Sequence, residues 1–98
     1  MRQKVQMSMI ELRYQLKGDA PRDITVRLFD VRQVRDADDP APWGINVTIV
    51  WGAEIAFDRP LAGADPLHAV ELACQFASKY IRGRAEDEGG TLEPPISP

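Results

Sequence analysis

The sequence predicts an α+β domain in two layers: a four-stranded antiparallel sheet in the order β-β-β-β-α, with one C-terminal helix on one face. Three observations carry this. Apolar residues alternate with polar ones from Ile10 to Leu16. Two β-rich runs, from Trp43 to Trp51 and from Glu54 to about Arg59, flank the two-residue turn Gly52-Ala53. After Asp65-Pro66 the apolar spacing changes to three and four, the period of a helix.

The first strand places Ile10, Leu12, Tyr14 and Leu16 on one face and Glu11, Arg13, Gln15 and Lys17 on the other. Lys17-Gly18-Asp19-Ala20-Pro21 has turn chemistry. A second strand runs from about Asp23 to Val34, with Ile24, Val26 and Leu28 on one face and Thr25 and Arg27 on the other. Phe29 and Val31 then fall on the Thr25 face, so either a bulge flips the phase or the open face is partly apolar. A polar loop, Arg35 to Pro42, leads to the third strand, whose inward residues are Trp43, Ile45, Val47, Ile49 and Trp51. The fourth strand turns Ile55 and Phe57 inward, and Pro60 to Ala64 is a connector.

Asp65 suits a helix N-cap and Pro66 the first helical position. The apolar stripe reads Leu67, Val70, Cys74, Ala77 and Ile81, widened by Ala69, Ala73, Phe76 and Tyr80, and Gly83 is a plausible stop. About eighteen helical residues span roughly 27 Å, close to the length of an eight-residue strand, so one helix can cover one sheet face. The boundaries expected are a flexible extension over 1–8, a single domain over 9–83 and a flexible acidic, Pro- and Gly-containing tail over 84–98.

Composition narrows the function classes. An apolar fraction of 44% and a charged fraction of 28% are those of an ordinary globular domain. The single cysteine excludes an internal disulfide. No stretch reaches the roughly 20 apolar residues that span a bilayer, so the expected location is the cytoplasm, without membrane contact. The net charge of −3 is uneven: residues 1–35 hold eight basic and four acidic side chains, residues 36–78 one and seven. An acidic whole disfavours nucleic acid as a partner, while leaving one basic region and one acidic edge.

No residue set has the pattern of a catalytic or cofactor site. His68 has no second histidine one turn away, which a helical zinc motif needs, and it reads as a boundary residue of the first helical turn. Cys74 falls on the apolar stripe and reads as core. Asp36, Asp38 and Asp39 could bind a divalent cation, but they lack the glycine and distal glutamate of a calcium loop and read as a solvated loop or an acidic contact for a basic partner. The face left open by a single helix carries Arg13, Gln15, Lys17, Thr25, Arg27, Asn46 and Thr48, with Phe29, Val31 and Val50 among them. That mixture is typical of a protein contact.

From Ile10 to Tyr80 the chain resembles a group of small uncharacterised bacterial proteins. They share a few short strands, then a Gly-x-Asp entering a helix rich in Ala and Leu, here Gly63-Ala64-Asp65-Pro66-Leu67-His68-Ala69-Val70-Glu71-Leu72-Ala73. The resemblance implies the same order of elements and a bacterial origin, and it supplies no residue roles.

The expected function is therefore a non-catalytic protein-binding module, most concretely an immunity-type protein that neutralises a toxin, with no cofactor and no metal. The partner-binding candidates are Arg13, Arg27, Phe29, Val31, Asp36, Asp38, Asp39 and Val50. The alternatives are a homodimeric structural or regulatory protein joined through the open sheet face around Phe29, Val31 and Val50, and a nucleic-acid binder using Arg13, Lys17, Arg27 and Arg32.

Overall fold

A computed structural model describes residues 9–96; the expected extension over 1–8 lies outside the described residues. The elements are β1 (Met9–Lys17), β2 (Arg22–Gln33), β3 (Trp43–Trp51), β4 (Glu54–Gly63), α1 (Pro66–Asp87) and β5 (Thr91–Glu93). The expected two-layer arrangement holds, an antiparallel sheet with one helix on one face. The sheet has five strands instead of four, in the order β4-β3-β2-β1-β5. The first four strands form a meander. Helix α1 then crosses the sheet and returns the chain to the far edge, where Leu92 lies opposite Leu16.

The register explains which alternation survives. Tyr14, Ile24 and Trp51 share one cross-strand row, as do Leu12, Val26, Ile49 and Phe57, all on the helix side. Leu16, Ile24, Val26, Leu28, Ile45, Val47, Ile49 and Trp51 are buried there. Two bulges then change the phase. In β2, Asp30 and Val31 together oppose Ile45, and Asp30 has φ 61°. Phe29 therefore stays on the open face, opposite Asn46, while Val31 moves into the Ile45 row and leaves the open face where it was expected. In β4, Ile49 pairs with Phe57 and Val50 with Ile55, so Ala56 is the extra residue. Ile55, expected inward, is turned onto the open face and is 66% exposed.

Strand β4 also continues through Pro60 to Gly63, where a connector was expected. Proline is tolerated because β4 is an edge strand, with a free outer side that demands no amide donor.

The helix begins as expected. The Asp65 side chain accepts from the His68 amide at 2.9 Å, and Pro66 occupies the first turn. It does not stop at Gly83, however, but runs on to Asp87. The stop is Gly89, with φ 68°: its amide donates to Glu86 O and that of Gly90 to Ala85 O, the paired bonds of a Schellman cap. The expected tail over 84–98 thus contains the last helical turn and β5.

The buried stripe of α1 is Ala69, Ala73, Ala77, Ile81 and Ala85, a strict four-residue repeat. Residues four apart advance slowly around a helix of 3.6 residues per turn, so this stripe rotates along α1 as the helix crosses the twisted sheet. Its alanines allow close approach: a Cβ on Gly63 would lie 2.5 Å from the Ala69 amide nitrogen. The approach leaves Cys74 on the flank, exposed, where a core position was expected. Leu67 is 77% exposed for the same reason.

Candidate interaction surfaces

The uncovered face of the sheet is built in cross-strand rows. Met9, Phe29, Asn46 and Pro60 form one row; Glu11, Arg27, Thr48 and Asp58 the next; Arg13, Thr25, Val50 and Ile55 the third. The middle row is tied together. Arg27 Nε donates to Glu11 Oε1 at 2.9 Å and Thr48 Oγ1 to Asp58 Oδ1 at 3.1 Å. Arg13 reaches across from the third row, its Nη2 donating to Glu11 Oε2 at 2.6 Å. The two guanidiniums, Arg27 foremost, hold the Glu11 carboxyl below its ordinary range.

Two further basic candidates are also matched with acidic partners. Lys17 lies 3.7 Å from Glu93, and Arg32 Nη1 donates to Asp30 Oδ2 at 2.8 Å. Arg13, Lys17, Arg27 and Arg32, the cations of the nucleic-acid alternative, thus each have a carboxylate beside them. At the β5 end the open face dips into a shallow depression of about 710 Å3 lined by Arg13, Gln15, Asp23, Thr25, Glu93 and Pro94.

Of the eight partner-binding candidates, Arg13, Arg27, Phe29 and Val50 share this face. Val31 lies in the β2 bulge, 41% exposed. Asp36, Asp38 and Asp39 occupy the β2–β3 loop at the end of the sheet near the start of α1. That loop is closed by its own bonds: the Asp39 amide donates to Asp36 O, and Asp39 Oδ1 accepts from the Ala41 amide at 2.9 Å. Asp36 and Asp38 remain exposed. Glu11 lies on this face with Arg13, as the alternation in β1 predicts; sequence reasoning missed Asp58 and Ile55 there. Ile55 was not legible, because its position depends on the bulge at Ala56.

At the opposite end, Arg84 is a clamp. Its guanidinium carbon lies 4.7 Å from the centroid of the Trp51 ring, Nη2 donates to Glu54 at 2.8 Å, and Nε donates to Glu88 at 3.2 Å. The Glu54 hydrogen bond chiefly raises its pKa above the already high ordinary value. The Trp51 indole N–H donates to Glu88 Oε1 at 3.4 Å. This network closes the C-terminal end of α1 over the sheet.

The residues with chemical potential are dispersed. His68 Nδ1 accepts from the Ala64 amide at 2.8 Å, which assigns it to the helix start. Among the described residues no cluster of three or more His, Cys, Asp or Glu side chains is placed to hold a metal ion. No helix among them is long and apolar enough to cross a membrane. No family model, curated protein or solved structure matches this chain.

Proposed function

We propose that this chain is a non-catalytic protein-binding module that docks its partner on the open sheet face. The observation that carries this reading is the composition of that face. Apolar side chains, Met9, Phe29 and Pro60 in one row and Val50 and Ile55 in another, flank a row in which Arg27 is ion-paired with Glu11 and Asp58 accepts from Thr48. Such a surface favours a partner that buries apolar area over one that supplies a dense field of phosphates. A rigid β-sheet also holds these side chains in place before binding, which limits the ordering cost.

The exposed Asp36 and Asp38 at the sheet end favour a partner with a basic rim, such as the cleft of a toxin enzyme that this protein would block. On that reading it acts as an immunity-type protein in a bacterial cell.

The test uses the purified chain as bait in a lysate of its own host, beside Val50→Lys and Asp36→Asn/Asp38→Asn baits. A protein retained by the parent, lost with Val50→Lys and held more weakly by the loop variant supports the reading. Retention that Val50→Lys leaves intact, or no retained protein at all, overturns it.

A further inference from the structure

A separate feature lies on the edge of the sheet, along β1. This strand has nine residues, of which Gln15, Leu16 and Lys17 pair with β5. Among the described residues nothing pairs with the outer edge of the other six, Met9 to Tyr14. An unpaired edge presents a row of backbone donors and acceptors that readily accepts another strand. The opposite edge, β4, is blunted by Pro60 and by Asp58 and Arg59 on either side of its middle. The β1 edge has no proline.

Among the described residues, the apolar side chains of this segment are exposed on the helix side of the sheet. Ile10 and Leu12 belong to the helix-side rows of Leu28 and Val26, yet they are 51% and 40% exposed. Helix α1 packs on β2, β3, β4 and β5 and leaves the first half of β1 bare. The flank of α1 that carries Val70 and Cys74, opposite the one where Phe76 stacks on Phe57 at 4.4 Å, borders the same uncovered region.

We propose that a second copy of this chain pairs antiparallel with Ile10–Tyr14 of β1 about a two-fold axis at Leu12. The segment is self-complementary in that register. Glu11 faces the partner's Arg13 and Arg13 the partner's Glu11, while Ile10 faces the partner's Tyr14. Centring the axis on Glu11 instead would bring two like charges together. With the axis perpendicular to the sheet, both helices stay on one side. The two five-stranded sheets become continuous, and Ile10, Leu12 and Tyr14 of both copies fill the region between the helices. The open face around Phe29, Val50 and Ile55 is left free and doubled in extent, so this pairing stands or falls independently of the partner proposed for that face.

The experiment is light scattering of the full chain from about 5 μM to about 500 μM, a span that resolves micromolar dissociation constants. Leu12→Lys and Ile55→Lys are run alongside, with circular dichroism confirming that each is folded. The expected result is a dimer whose dissociation constant rises by about tenfold or more with Leu12→Lys, because two ammonium groups then meet at the axis on an edge strand. Ile55→Lys, on the open face, leaves it unchanged. In a Cys74→Ser background, Leu12→Cys is expected to give a covalent dimer on mild oxidation. A mass that stays monomeric throughout overturns the proposal. So does a dimer weakened by Ile55→Lys and not by Leu12→Lys, which would place the contact on the open face.

Discussion

The two halves of β1 read alike and end differently. Both alternate apolar and polar residues, and both point their apolar side chains to the helix side of the sheet. Leu16, in the second half, is 2% exposed, covered by the strand that returns after α1; Leu12, four residues earlier, is 40% exposed. Alternation decides the face a side chain takes. Burial depends on where another layer reaches, and α1 runs diagonally toward Leu16 and away from Ile10.

Truncation should separate the two halves most widely. In dilute protein, Leu16→Ala is expected to lower unfolding stability by about 2–4 kcal/mol, and Leu12→Ala by less than about 1 kcal/mol. Urea denaturation of both variants checks this, and equal losses would mean that the first half of β1 is covered after all.

Two glycines show in the same way that neighbours, and not residue type, set the cost of a substitution. A Cβ on Gly63 meets the backbone of Ala69, whereas nothing lies within 4 Å of one on Gly83. Gly63→Ala should destabilise by about 1–3 kcal/mol through forced displacement of the helix start. Gly83→Ala should stabilise by about 0.5–1 kcal/mol, since it lies within a helix. Thermal melts of the two variants should move in opposite directions.

The smallest effect concerns the polar side of β1. The folded state lowers the pKa of Glu11, through Arg27 first and Arg13 second. A carboxylate with a depressed folded pKa stabilises above its unfolded value and loses that contribution as pH falls through the folded one. Glu11→Gln should therefore melt slightly below the parent at about pH 7, and the two curves should converge as pH falls through the folded pKa of Glu11. Because the pair is solvent-exposed, added salt should narrow the gap at neutral pH.

Much of the fold was legible in local patterns. The first four strands, the Gly52-Ala53 turn, the Asp65 cap and Pro66 at the helix start all follow from rules that act within a few residues. The open face was legible as far as one strand's alternation extends, which placed Arg13, Arg27, Phe29 and Val50 correctly. Val31 and Ile55 were misplaced because each lies at or beside a bulge, and a one-residue insertion reverses the face of every residue beyond it in the strand. Cys74 was misplaced because the spacings Leu67-Val70-Cys74 and Ala69-Ala73-Ala77 are both helical, and periodicity alone does not rank them. The Leu-bearing stripe has the greater apolar volume. The alanine stripe won because only small side chains let α1 lie close against the strands.

The class of the domain, the order of its first five elements and the helix start were set by the sequence alone, because they depend on alternation, turn chemistry and capping over short range. Only the tertiary structure could settle that the chain returns as β5, that two bulges redistribute Val31 and Ile55, and that the described residues leave half of β1 bare. Those outcomes depend on contacts between segments far apart in the chain, such as Leu16 with Leu92 and Gly63 with Ala69, where the angle of one helix across a twisted sheet determines what it reaches.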